Sequence, residues 1–352
     1  MHMDIHDYVE KEKISLRKVL DLTLLTNPLG PSNKAKNAMR AALKTVSQFP
    51  DPDTRHLRRY IARKEHIGPE NILFGHGSTQ LLELILATFR PHRVLIPAPL
   101  LTHHAYALQR AGTEASPFLL NRGPAFSLDV DRLMASIDGA DMLLIPNPHA
   151  MTGALIPLPI LRAVIDRIEG SGTMLVLDEG LIEFTEGKSP FDWAVQSRNL
   201  LILRSFSLYH GLAGLRLGYV VGGASLLVLL AGAGRQGPVN AVAAAAAISS
   251  LRDKGFRERA NEFIRVEKAY LIDRLGRIAG VEVTDTPCPF VLVRLQMSPS
   301  DLKKRLEERH ILVEAFEDEL GLVVRVPVRR HRENARFAKT LFRIIRTSNS
   351  QP

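Results

Sequence analysis

One cysteine, Cys288, in 352 residues excludes a disulfide framework and leaves no thiolate cluster to hold a metal. No apolar run approaches the roughly 18 residues that a membrane-crossing helix needs, so no membrane span is expected. The opening Met1–His6 lacks the basic-then-apolar character of a signal peptide, and with the single cysteine this leads us to expect a cytoplasmic protein. Aromatic residues are scarce, at 6%. Acidic residues are outnumbered, 37 against 46 Lys and Arg, for a net charge of +9. Arg325, Arg329, Arg330, Arg332, Arg343 and Arg346 crowd towards the end of the chain. They are interleaved with apolar residues as on solvated helix faces, so no nucleic-acid partner is expected and an anionic, phosphorylated small molecule is the favoured one. There is no internal repeat, and the alanine-rich run Ala241 to Ala247 reads as helix former.

What is present is 45% hydrophobic content, enough for a large core and a second, smaller domain. From about residue 70 to 225, short apolar runs alternate with longer amphipathic ones. Strands are expected at Asn71–Phe74, Arg93–Ile96, Met142–Ile145, Met174–Leu177, Leu200–Leu203 and Gly218–Val221, with helices such as Ser78–Phe89, Leu101–Arg110 and Leu158–Ile168 between them. Continuous apolar strands separated by helices predict a mostly parallel sheet covered on both faces. Ligands of such sheets sit beyond the carboxyl ends of the strands. Gly75, Asn147, Asp178 and Ser205 each fall at such an end, which locates a pocket. After about residue 250 the pattern changes to a long charged helix, Phe256–Ile278, then strands at Val281–Thr284, Phe290–Leu295, Ile311–Phe316 and Gly321–Val328, with a helix at Pro299–Arg309 and a closing helix. The expected division is an N-terminal arm over 1–45 packing with the small domain, a large domain over 46–250 and a small α+β domain over 251–352.

The run Arg204-Ser-Phe-Ser-Leu-Tyr-His-Gly-Leu-Ala-Gly-Leu-Arg-Leu-Gly-Tyr219 resembles the cofactor-lysine segment of fold-type I pyridoxal-phosphate (PLP) enzymes. With Leu20–Pro31, Phe49–Leu57, and Val324–Arg329 before Glu333 and Asn334, it makes the chain resemble the class I/II aminotransferases over about residues 14 to 343. Within them it is most similar to the L-threonine-O-3-phosphate decarboxylases of cobalamin biosynthesis, and next to histidinol-phosphate aminotransferases. The resemblance implies an α/β fold of the aspartate-aminotransferase type, PLP as cofactor, and a dimer with active sites at the subunit interface. It assigns Asp178 to the pyridine nitrogen. Ser205, Ser207 and Arg216 it assigns to the cofactor phosphate, together with the loop Gly75, His76, Gly77 and Ser78 that opens a helix. Arg325 and Asn27 would hold a substrate carboxylate, and Arg329 a second anionic group.

The departures from the family pattern gather around one ligand. Leu208 stands where the Schiff-base lysine belongs, and leucine offers neither a nucleophile nor a titratable group. Ala150 replaces an asparagine that bonds the ring hydroxyl, and Leu101 an aromatic residue that stacks on the ring. Phe49 replaces a tyrosine that reaches the phosphate from the neighbouring subunit, and His76 the asparagine of the glycine loop. A lost stacking partner and two lost neutral hydrogen bonds cost about 1 kcal/mol each. The expected protein is one that lacks standard PLP catalysis and binds a phosphorylated, amino-acid-like anion, as a homodimer or as a heterodimer with an active paralogue. The alternatives are an enzyme that holds PLP or pyridoxamine phosphate without a covalent bond, and a conventional decarboxylase or aminotransferase that uses another lysine. Lys188 is the one lysine within a loop of the active edge, and no family pattern places it at the ring. Four histidines, His76, His104, His149 and His210, map near the same space with Asp178, but their spacings are irregular and they come from four loops, so no metal is expected.

Overall fold

The computed structural model describes residues 5–120, 126–234, 239–318 and 321–348. The chain folds as two units: Leu29–Arg257, and a second made of Met1–Pro28 with Glu258–Pro352. The helix Asn33–Ala42 packs along the alanine-rich helix Ala241–Leu251. This is why the larger unit takes in residues from Leu29 onwards rather than starting after an arm of 45 residues.

The larger unit is built on a seven-stranded sheet in the order Ile72–Gly75, Gly218–Val221, Leu200–Ser205, Met174–Asp178, Met142–Pro146, Arg93–Ala98, Glu114–Leu119. Gly218–Val221 runs antiparallel to both neighbours, and every other pairing is parallel. The strand Glu114–Leu119 has no counterpart among the expected ones. Its half-exposed, edge-like pattern, with Pro117 inside it, gives no continuous apolar run to detect.

The central strands bury both faces because neighbouring residues alternate between two cores. Leu143, Ile145, Leu175, Leu177, Leu200 and Ile202 enter one core. Met142, Leu144, Met174, Val176, Leu201 and Leu203 enter the other. The helix Leu158–Glu169 covers the first with Leu161, Val164, Ile165 and Ile168, a spacing that lines one helix face. Ser78–Phe89 covers the second through Leu81, Leu82, Leu84, Ile85 and Leu86. Each such side chain stabilises the fold by about 1.5–3 kcal/mol relative to leaving it exposed.

The smaller unit holds a five-stranded sheet ordered Leu20–Leu22, Ile311–Asp318, Gly321–Pro327, Phe290–Leu295, Val281–Asp285. The first pairing is parallel, Leu20 with Ile311, and ties the start of the chain to its last third. The other pairings are antiparallel.

Candidate functional site

Four parallel strands of the larger unit end side by side, and their following loops enclose a cavity of about 260 Å³. At one end the helix Ser78–Phe89 presents its first turn, whose amides have no partner within the helix. Ser78, Thr79, Ser205, Ser207 and Arg216 all line the cavity. Arg216 adopts a left-handed backbone, φ 49°, a strained conformation for a residue with a side chain. Gly77 has φ +89°, and a Cβ there would stand 2.7 Å from Arg216 Nη2. The glycine is therefore needed for its backbone and for the room it leaves the guanidinium. The Ser205 hydroxyl accepts the Ser207 amide at 3.1 Å, which fixes the turn after the strand. Helix-start amides, hydroxyls and a guanidinium are the donor set a phosphate needs.

At the other end Asp178 closes its strand, 7% exposed. Its Oδ1 accepts the Gly180 amide at 2.9 Å. Its Oδ2 faces two imidazoles, His104 Nε2 at 2.8 Å and His103 Nε2 at 3.5 Å. Burial works to raise the Asp178 pKa, but the hydrogen bonds from His103 and His104 overcome it and hold the carboxyl well below the usual carboxylate range. His104 is wholly buried, and burial drives its pKa down despite Asp178. A neutral His104 carries its one proton on Nε2 towards the carboxylate. Between the two ends the walls are apolar: Leu101, Pro146, Pro148, Ala150, Leu181 and Leu208. None of the described residues lining the cavity is a lysine.

The positions expected from the sequence separate into groups. Ser78, Asp178, Ser205, Ser207 and Arg216 come together at the cavity, while Gly75 and Gly77 shape its loop. His76 is exposed and does not line it. Asn147, expected at the pocket edge, is 1% exposed and turns its side chain to the backbone of Ile156, accepting that residue's amide at 2.8 Å. The four histidines do not assemble. His149 Nδ1 accepts the amides of Met151 and Thr152 at 3.3 and 3.2 Å, which makes it a turn residue. His210 Nε2 lies 3.2 Å from Glu183 Oε1, outside the cavity lining. His104 alone reaches Asp178, and its partner there is His103, which the sequence reading passed over. The signal was available: two consecutive histidines in the first turn of a helix beginning at a strand end.

A charged network lies behind the site and was also missed. Arg204 Nη1 donates to Glu179 Oε2 at 3.2 Å and to Ser189 Oγ at 2.6 Å. Its Nη2 lies 3.7 Å from Glu183 Oε1. Burial opposes ionisation of Glu183, but His210, Arg204 and Arg257 outweigh it and bring its pKa down to about 2. Nothing in periodicity distinguishes buried Glu and Arg from surface ones, because pairing across a fold is not a sequence-local property.

The residues expected to hold a substrate carboxylate lie in the smaller unit. Arg325 sits in the strand Gly321–Pro327, 5% exposed, and donates to the Thr23 carbonyl. Burial lowers its pKa to about 10 while the carboxylates of Glu314 and Asp21 resist, so it remains a cation at neutral pH. Asn27 is buried in the same unit. Arg329 lies 3.7 Å from Glu333, and its amide donates to Asn334 Oδ1 at 2.9 Å, so it also shapes the start of the closing helix.

A model of the family "Aminotransferase class I and II" matches residues 17–331. The sequence is 32% identical over 336 residues to a histidinol-phosphate aminotransferase from Methylobacillus flagellatus, covering 94% of this chain and 89% of that one. It is 28% identical over 339 residues to a threonine-phosphate decarboxylase from Salmonella typhimurium, covering 94% and 93%. Among solved structures, histidinol-phosphate aminotransferase from Sinorhizobium meliloti in complex with pyridoxal-5'-phosphate shares the fold with a TM-score of 0.87 at 21% identity, covering 99% of this chain and 96% of that one. L-threonine-O-3-phosphate decarboxylase from Porphyromonas gingivalis shares it with a TM-score of 0.80 at 24% identity, covering 93% and 99%. The fold is that of PLP fold-type I enzymes, and the chain belongs to the class I and II aminotransferase family.

Proposed function

We propose that this family member has lost the imine chemistry of PLP and keeps the site to bind a phosphorylated, amino-acid-like ligand. The observation that carries the reading is Leu208 in the cavity wall three residues beyond the strand Leu200–Ser205, where an amine would be required. The retained residues fit a phosphate, through Ser78, Ser205, Ser207 and Arg216, and they fit a protonated ring nitrogen, through Asp178. They do not fit a Schiff base. The aliphatic side chains of Leu101 and Ala150 in the walls also provide neither an aromatic face nor a polar atom. Within the smaller unit, the family resemblance assigns Arg325 and Asn27 to a carboxylate and Arg329 to a second anionic group. A homodimer fits the full exposure of Phe49, which the family pattern puts at a subunit contact, and a heterodimer with an active paralogue fits it equally.

One observation favours a second reading, non-covalent binding of PLP or pyridoxamine phosphate: Asp178 remains a buried, ionised carboxylate facing the cavity, as a pyridinium requires. Absorbance spectra with added PLP, before and after borohydride, decide between the two. No saturable binding is expected on the first reading, and saturable but unfixed binding on the second. An adduct fixed by borohydride in the unaltered protein overturns both. Leu208→Lys should then create an imine band that borohydride fixes. If O-phosphothreonine, histidinol phosphate and sulfate all fail to raise the melting temperature, the anion-binding half of the reading fails, because any ligand that binds the folded state stabilises it by mass action.

A further inference from the structure

We propose that His103, His104 and Asp178 form a binding site for one divalent transition-metal ion. His103 and His104 occupy the first turn of the helix Thr102–Ala111, and Asp178 ends the neighbouring strand Met174–Asp178. One ligand atom from each lies within 4.8 Å of the other two. The separations to Asp178 Oδ2 are 2.8 Å from His104 Nε2 and 3.5 Å from His103 Nε2. Ligands held at about 2.0–2.2 Å from one ion stand about 3–3.5 Å apart. One ion between the three needs only small side-chain shifts.

Two imidazoles and one carboxylate form a donor set suited to Zn²⁺, Co²⁺, Ni²⁺ or Fe²⁺ and poorly suited to Mg²⁺ or Ca²⁺, which take oxygen. The His103 side chain is 43% exposed and lines the cavity with Asp178, so the remaining coordination positions face open space, as in catalytic rather than structural sites. Leu208 adds no positive charge to that cavity, whereas a lysine there would repel the ion. Binding requires the single proton of His104 to leave Nε2 for Nδ1. That atom is buried with no hydrogen-bond partner among the described residues, which makes His104 the weakest of the three ligands.

The full-length protein, stripped with a chelator and titrated with Co²⁺ or Zn²⁺ alone, tests this by calorimetry and by the cobalt absorption spectrum. One equivalent should bind, and the spectrum should indicate imidazole and carboxylate ligands. His103→Ala, which removes a half-exposed side chain and leaves the core intact, should weaken binding about tenfold or more. Asp178→Asn, checked for folding by circular dichroism, should do the same, and His76→Ala should change nothing. Undiminished binding by His103→Ala, loss on His76→Ala, or no saturable binding at all overturns the proposal. None of these outcomes bears on borohydride fixation, so the lysine-free reading of the site stands or falls separately.

Discussion

At the scale of single residues, the site rests on positions whose neighbours leave little choice. Gly77 carries a left-handed backbone against the Arg216 guanidinium. The tip of a flexible arginine can move aside, so Gly77→Ala should act in two separable ways. The unfavourable φ should lower stability by about 1–2 kcal/mol. The displaced guanidinium should weaken phosphate affinity, seen as a smaller thermal shift with sulfate than in the unaltered protein. Equal shifts in both proteins would remove Arg216 from the anion site. Leu208 is the opposite kind of position, a half-buried side chain in the cavity wall, which is why the substitution proposed there is informative.

At the scale of elements, the strand ends do the positioning. Met174–Asp178 and Leu200–Ser205 run parallel with Asp178 opposite Leu203, so Asp178 faces the cavity while Glu179 turns to Arg204 behind it. That rear network has a pH signature. The Glu183 pKa is depressed from its ordinary 4.5 to about 2. Its contribution is thus fully present above pH 4.5 and is lost as the pH falls through about 2. The fully ionised network is worth on the order of 3 kcal/mol through this carboxylate. Urea unfolding between pH 5 and 2 should show stability falling with acid. Glu183→Gln should lower stability at neutral pH and flatten that slope, and an unchanged slope would assign acid sensitivity elsewhere.

At the scale of the whole molecule, the larger unit holds the cavity, and the smaller unit keeps Arg325 as a buried cation whose charge Glu314 and Asp21 favour. Leu43, Val46 and Phe49 are exposed apolar residues of one short segment, Phe49 fully so. On the dimer proposed above, Phe49→Ser should raise the dissociation constant in sedimentation equilibrium while leaving the melting temperature of the monomer nearly unchanged. A dimer of undiminished affinity would place the subunit contact elsewhere. The doubly buried strands, the helices with one apolar face and the strand-end positions of Asp178 and Ser205 were all determined by the sequence alone. Apolar periodicity is a local property, and the alternation of cores follows from the geometry of an extended chain. That Leu208, three residues past a strand end, carries no amine was equally legible, because the identity of a side chain is visible without coordinates. Only the tertiary structure decided that His103 joins His104 on Asp178, that His149 and His210 serve a turn and a carboxylate elsewhere, and that Asn147 turns away from the cavity. Those outcomes depend on the direction of each side chain across loops far apart in the chain, and no spacing within a single segment encodes that direction.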